Sequence, residues 1–228
     1  LDSSQWNAFS LELALTEARI DFGARAPSQR RAQNFYVPSR DSLRYQYVLE
    51  CLITNQVSTV VVGPACSGRS ALLKNTLFGV VFDFTKQLVT DHVTMSSHCD
   101  ATRFKENIER LLEWRPSKLT GERKLRPHLE SKLICYVEDL HLGWTDQHGD
   151  QPAIEAIRDY LTDKAWLSSR KRRWREIEDV TIFACMAANA PETARVSRRV
   201  LHRFNLVTLD EPDTETVHAR LKTYAEQV

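Results

Sequence analysis

From Thr59 onward two hydrophobic patterns alternate along the chain. Short apolar runs at Thr59–Val62, Val89–Met95, Lys132–Val137, Val180–Cys185 and Phe204–Leu209 predict strands. Between them, apolar residues three and four apart predict helices at about 69–79, 100–114, 151–163 and 196–203. The first, third and fourth runs are continuously apolar rather than alternating, which is how central parallel strands read when helices cover both faces. The expected architecture is therefore α/β: three layers around a five-stranded, mainly parallel sheet. Upstream, Trp6 to Ile20 carries a helical pattern, Gly23 to Gln33 reads as an arginine-rich linker, and Phe35-Tyr36-Val37-Pro38 as a short extended piece. Ser39 or Asp41 then caps a helix through Leu43, Tyr47, Leu52 and Ile53.

The first strand runs straight into Gly63-Pro64-Ala65-Cys66-Ser67-Gly68-Arg69-Ser70, and an amphipathic stretch follows with Leu72, Leu73 and Leu77. Strand, glycine-bounded loop and helix are the context of a phosphate-binding P-loop. Its glycines let successive backbone N–H groups curl around phosphate oxygens, and the helix N-terminus adds partial positive charge. Ser70 supplies the hydroxyl that completes a Mg²⁺ shell. The departure is Arg69, where the motif has lysine. A forked guanidinium does not act as the same compact point charge between phosphates.

The third strand ends in Glu138-Asp139, the position of a Walker B acidic pair. There a carboxylate holds Mg²⁺ and the next acid polarises the attacking water. The usual order is Asp then Glu; here it is reversed, which displaces both carboxylates from their usual reach. The fourth strand runs on to Asn189, where AAA+ P-loop proteins place a sensor amide, although a turn asparagine before Pro191 is an equal reading. Arg198, Arg199 and Arg203 precede the last strand, where AAA+ domains carry arginine fingers aimed at a neighbouring nucleotide. A solvated basic helix face is the alternative there.

Composition narrows the partners. Lys plus Arg total 31 against 30 Asp plus Glu, so the whole-molecule charge points to neither nucleic acid nor membrane. No apolar stretch reaches membrane-spanning length. Five scattered cysteines without a C-x-x-C pair indicate neither a disulfide framework nor a metal site, and suggest a reducing compartment. The basic run Ser168–Arg175, flanked by Trp166 and Trp174, invites a nucleic-acid reading through Arg170–Arg175, but a solvated hairpin accounts for it better in a near-neutral molecule. A stand-alone P-loop kinase is disfavoured because no acceptor-binding lid is recognisable. The chain starts at Leu1 and stops after a helical pattern, as a piece of a larger protein does.

Four segments resemble the dynein heavy chain, most of all the third AAA+ module of its motor ring. They are Val37-Pro-Ser-Arg-Asp-Ser-Leu-Arg44-Tyr before the loop, Tyr136-Val-Glu-Asp-Leu-His141 at the acids, His148-Gly-Asp-Gln151-Pro-Ala-Ile-Glu155-Ala-Ile-Arg158, and Ser197-x-Arg199-x-Leu-x-Arg203-Phe-Asn205. The third segment is the most specific. The resemblance implies an inter-module segment over 1–34, an AAA+ large subdomain over 35–212, and the start of a connection to the small helical lid over 213–228, with the lid itself absent or truncated. It implies ADP or ATP with Mg²⁺ as cofactors. Val37 and Pro38 would line the adenine pocket and Gly63 through Ser70 would hold phosphates. Ser70 and Glu138 would hold the metal, Asp139 the water, and Asn189 would be the sensor. Arg199, or less so Arg203, would be the finger toward the preceding module. Neighbouring modules of the same heavy chain are the implied partners, with microtubules reached only through the whole motor. The implied location is cytoplasmic and cytoskeletal, in a cilium or flagellum axoneme. Arg69, the Glu138-Asp139 inversion and His141 in place of the family's Asn all fall on catalytic positions. Together they predict a nucleotide pocket with weakened or lost hydrolysis.

Overall fold

The computed structural model describes residues 36–83, 88–117, 120–128, 131–168, 173–190 and 196–225. The expected Trp6–Ile20 helix, the Gly23–Gln33 linker and the 1–34 segment lie outside these residues. The helices are α1 (Arg40–Thr54), α2 (Arg69–Asp83), α3 (Ala101–Glu109), α4 (Pro152–Asp163), α5 (Arg198–Leu201) and α6 (Thr214–Ala225). The strands are β1 (Thr59–Gly63), β2 (Leu88–Thr94), β3 (Leu112–Pro116), β4 (Arg123–Pro127), β5 (Lys132–Glu138), β6 (Ala165–Leu167), β7 (Trp174–Glu176), β8 (Val180–Ala187) and β9 (Asn205–Thr208).

Five strands form one parallel sheet in the order β2-β5-β8-β1-β9. Register places Thr59 beside both Phe183 and Asn205, so the loop-bearing strand β1 lies between β8 and β9. Strand alternation sends successive side chains to opposite faces, and each face has its own core. Val60, Leu133, Cys135, Val137, Ile182 and Ala184 pack with Phe104, Ile108, Ile157, Tyr160 and Trp166. Val61, Ile134, Tyr136, Phe183 and Cys185 pack on the other side with Leu49, Ile53, Leu72, Leu73 and Leu77. This is the expected three-layer α/β arrangement. It also puts Tyr136 and Cys185 on the face covered by α2, the helix that leaves the loop.

Local chemistry sets the helix ends. Ser39 caps α1 through a reciprocal box with Ser42, and Asp100 caps α3 by accepting from the Arg103 N–H at 2.8 Å. Pro152 opens α4, where its missing N–H costs no helical bond.

Two expectations need correction. The helix expected at 100–114 ends at Glu109, and Leu112–Pro116 turns back as an antiparallel hairpin with Arg123–Pro127. Leu111 and Leu112 continue the helical spacing of Phe104 and Ile108, which hides the break. The helix expected at 196–203 shortens to Arg198–Leu201. The strands flanking the basic run, β6 and β7, pair antiparallel as a hairpin requires, and residues 169–172 lie outside the described residues. Arg175 at its base is committed to Glu109 at 2.5 Å. Among the described residues no helix is long and apolar enough to cross a membrane.

Candidate functional site

The loop between β1 and α2 is shaped by two left-handed residues, Cys66 at φ 62° and Gly68 at φ 87°. Gly63 is fixed by space: a Cβ there would stand 2.8 Å from Ser67 Oγ and 3.1 Å from Leu209 Cβ. Ser67 Oγ and Arg69 Nε are buried without hydrogen-bond partners, as polar groups are that await a ligand. Beside the loop lies a cavity of about 340 Å³, lined by Tyr36, Val37, Ser67, Gly68, Asp210 and Arg220 among others. That is within the range of small-molecule sites. Val37 is in this lining; Pro38, half-buried beside it, is outside, and the exposed loop tip Ala65-Cys66 also lies beyond it.

Arg220 belongs to none of the motifs legible in the sequence. It comes from α6, a helix capped by Asp213, whose carboxylate accepts from the Thr216 N–H at 2.8 Å. The Thr216 hydroxyl first and that N–H bond second, aided by the charge of Arg220, hold the Asp213 carboxyl below its ordinary range. Arg220 Nη1 lies 3.5 Å from where a Cβ on Gly68 would be; Nη2 is 3.4 Å from Ser39 Oγ, and Nε is buried and unpartnered. The only sequence signal was the four-residue spacing of Thr216 and Arg220 behind a capping Asp.

Arg69 folds back under its own loop. Its Nη1 donates to the Pro64 carbonyl at 2.9 Å, and Nη2 lies 3.6 Å from Asp139 Oδ1. Asp139 itself sits in the left-handed region at φ 52°. Glu138 Oε2 is 2.9 Å from both Lys74 Nζ and His92 Nε2. Burial pushes the Glu138 carboxyl up, but the bonds from Lys74 and His92 prevail and hold it below the usual range. The Tyr136 ring underlies both partners: His92 stacks on it at 4.9 Å and the Lys74 ammonium sits 5.8 Å from its centre. Ser70 Oγ meets Cys185 Sγ at 3.4 Å, and the same sulfur meets Tyr136 Oη at 3.4 Å.

The Ala188 N–H bonds to the Gly63 carbonyl at 2.9 Å, which brings the exposed Asn189 turn next to the loop. Arg199 is elsewhere: its guanidinium is bound to Glu155 of its own chain at 2.7 Å, and Glu155 also holds Arg158. Arg203 is exposed. The structure thus gathers the loop, Glu138, Asp139 and Asn189 at one end of the sheet and leaves Arg199 tied to α4.

His141 is buried, with Nδ1 facing the Ala187 N–H at 3.4 Å. Burial lowers its pKa; the Asp139 charge opposes this and the Arg69 charge adds to it. The neutral ring is therefore favoured in the fold. Its contribution to stability is complete above the ordinary value of 6.5 and is lost as pH falls through that value toward the folded one. Urea midpoints are expected to fall between about pH 7 and about pH 5, and His141→Asn is expected to flatten that fall. An unchanged slope in the variant would contradict this assignment.

Magnesium takes one or two carboxylates plus phosphate oxygens and water. The donor set here does not fit that shell. Ser70 faces a sulfur, Glu138 is held by Lys74 and His92, and Asp139 lies against Arg69. Among the described residues no group of three or more His, Cys, Asp or Glu is placed to share a metal ion.

Comparison with known proteins identifies the family. The family described as the P-loop containing dynein motor region matches residues 24–212. Dynein axonemal heavy chain 6 of Homo sapiens is 26% identical over 181 residues, covering 79% of this chain and 4% of that protein. Dynein axonemal heavy chain 2 of Mus musculus is 26% identical over 196 residues, 86% of this chain and 4% of the relative. Dynein axonemal heavy chain 12 of Rattus norvegicus is 23% identical over 192 residues, 82% and 6% respectively. The chain thus spans a small fraction of the length of these relatives. P-loop domains of this kind bind nucleotide and Mg²⁺ in general. With the loop at the end of a central parallel strand, the acids on the next strand but one, and a profile match over most of its length, the chain belongs to the family of P-loop-containing dynein motor regions.

Proposed function

We propose that this chain is a nucleotide-holding AAA+ module, most like the third, of an axonemal-type dynein heavy chain. Its own site binds ADP or ATP and hydrolyses ATP weakly or not at all. The observation that carries this reading is the state of the catalytic corner, where Arg69 is bound to the loop carbonyl of Pro64 and both Walker B acids are engaged by cations of the same chain.

In this reading Val37, with Pro38 beside it, walls the base, and Gly63 through Ser70 surround the phosphates. Arg220 reaches over Gly68 as a further cation for the phosphate chain. Asn189 approaches the terminal phosphate, and Asp139, paired with Arg69, is a poor base for water. Hydrolysis needs a positioned water and compensation of transition-state charge, and neither acid is free to supply the first. Arg199 would leave Glu155 to serve the preceding module's nucleotide. The module would then relay conformational change between its neighbours, and would reach microtubules only through the whole motor, in a cilium or flagellum. The names of the relatives support that setting.

The nucleic-acid alternative through Arg170–Arg175 has less support, since Arg175 is spent on Glu109. Titration calorimetry with ADP and with ATP tests the reading: one nucleotide per chain is expected. No heat with either nucleotide would reduce the module to a structural spacer.

A further inference from the structure

We propose that this site holds a nucleoside diphosphate without a divalent cation, with Lys74 and Arg69 supplying the positive charge that the ion would bring. The inference rests on the nucleotide-holding reading and adds the form in which the ligand is bound.

Each Walker B acid already has its own counter-charge. Lys74 Nζ lies 2.9 Å from Glu138 Oε2, and Arg69 Nη2 lies 3.6 Å from Asp139 Oδ1. Two carboxylates against one ammonium and one guanidinium leave no net negative charge to attract a dication, and two fixed cations oppose one. His92, the second partner of Glu138, adds a hydrogen bond, and a further positive charge only when protonated.

The Lys74 position is built. Ser70 and Lys74 are four residues apart on α2, so they share a helix face one turn apart. The Tyr136 ring lies under the Lys74 ammonium and against the His92 ring, so one aromatic surface orients both donors toward the same carboxylate oxygen. Tyr136 is in turn fixed through Cys185, the sulfur that also engages Ser70. The hydroxyl and the acid that would share a magnesium ion are thus each bound by groups of the protein. A lysine ammonium is a compact point charge on a flexible stem. Here it screens Glu138 from the phosphates of an incoming diphosphate, which a bare carboxylate would repel.

Removing Lys74 should therefore create a metal requirement. Titration of ADP into this chain is compared in excess Mg²⁺ and in excess EDTA, for wild type, Lys74→Gln and Lys74→Arg. Wild type is expected to change affinity by less than about threefold between the two buffers. Lys74→Gln is expected to lose about tenfold or more in EDTA and to recover with Mg²⁺, while Lys74→Arg stays close to wild type. Thermal melts without ligand check that the variants are folded; if Lys74→Gln is not, the wild-type comparison between buffers decides alone. Loss of about tenfold or more by wild type in EDTA, or a Lys74→Gln variant indifferent to EDTA, overturns the proposal. Those outcomes leave nucleotide binding standing, whereas wild type that binds ADP in neither buffer removes both.

Discussion

Gly68→Val is expected to lower ADP affinity by about 100-fold or more, equivalent to roughly 2.7 kcal/mol. Gly68 stands at φ 87°, where a β-branched residue is a conformational outlier. Holding a side chain in such a region costs on the order of 1–3 kcal/mol, so the loop is expected to relax out of its curled shape instead. Relaxation moves the backbone N–H groups that would face the phosphates. The new side chain also grows toward Arg220, whose Nη1 lies 3.5 Å from the first added carbon. Both losses fall on phosphate binding, while the sheet beneath is untouched. Calorimetry with ADP reads the affinity, and a melt without ligand should show a much smaller change. A variant within about tenfold of wild type would contradict the assignment of the loop.

Trp166→Ala is expected to lower the unfolding free energy by about 3–5 kcal/mol. Trp166 is 1% exposed and sits where α3, α4 and the second hairpin meet. Its ring packs edge-on against Phe104 at 6.4 Å and tilted against Tyr160 at 5.9 Å. Its indole N–H donates to Glu109 at 2.9 Å, and Glu109 also receives Arg175 at 2.5 Å. Truncation leaves a cavity between two rigid rings and removes one donor from a carboxylate. Trp174, on the paired strand of the same hairpin, is 60% exposed, and its alanine variant should stay within about 0.5 kcal/mol. Urea unfolding separates the two; a loss below about 1 kcal/mol for Trp166→Ala would show that this core collapses around the gap.

The sheet was legible where strands are buried on both faces. β1, β5 and β8 read as unbroken apolar runs because each face meets its own core, Val60 on one side and Val61 on the other. The hairpin of β3 and β4 was not legible. Its second strand is Arg-Lys-Leu-Arg-Pro, with Leu125 and Pro127 as its apolar anchors, and Arg126 is buried by pairing with Asp179 rather than by hydrophobicity. No periodicity encodes a strand held by an ion pair from fifty-three residues away.

The candidate site divides the same way. The loop could be read because its eight residues are contiguous and their conformation is local. The partners of the acids could not, since Lys74 and His92 reach Glu138 across 64 and 46 residues from two other elements. Arg69 looked like a weakened phosphate ligand; its contacts with the Pro64 carbonyl and Asp139 are tertiary facts. Arg199 looked free to reach a neighbour, and only packing of α5 near α4 places it on Glu155.

The central claim is that the pocket holds nucleotide and cleaves it weakly or not at all. Phosphate release from saturating ATP with Mg²⁺, in a sample shown by titration to bind ADP, tests it most directly. The account predicts a rate at or only slightly above that of the protein-free control. Turnover near the ordinary enzymatic value of about 10 s⁻¹ would contradict it, because Glu138 and Asp139 would then have to leave Lys74 and Arg69 in every cycle.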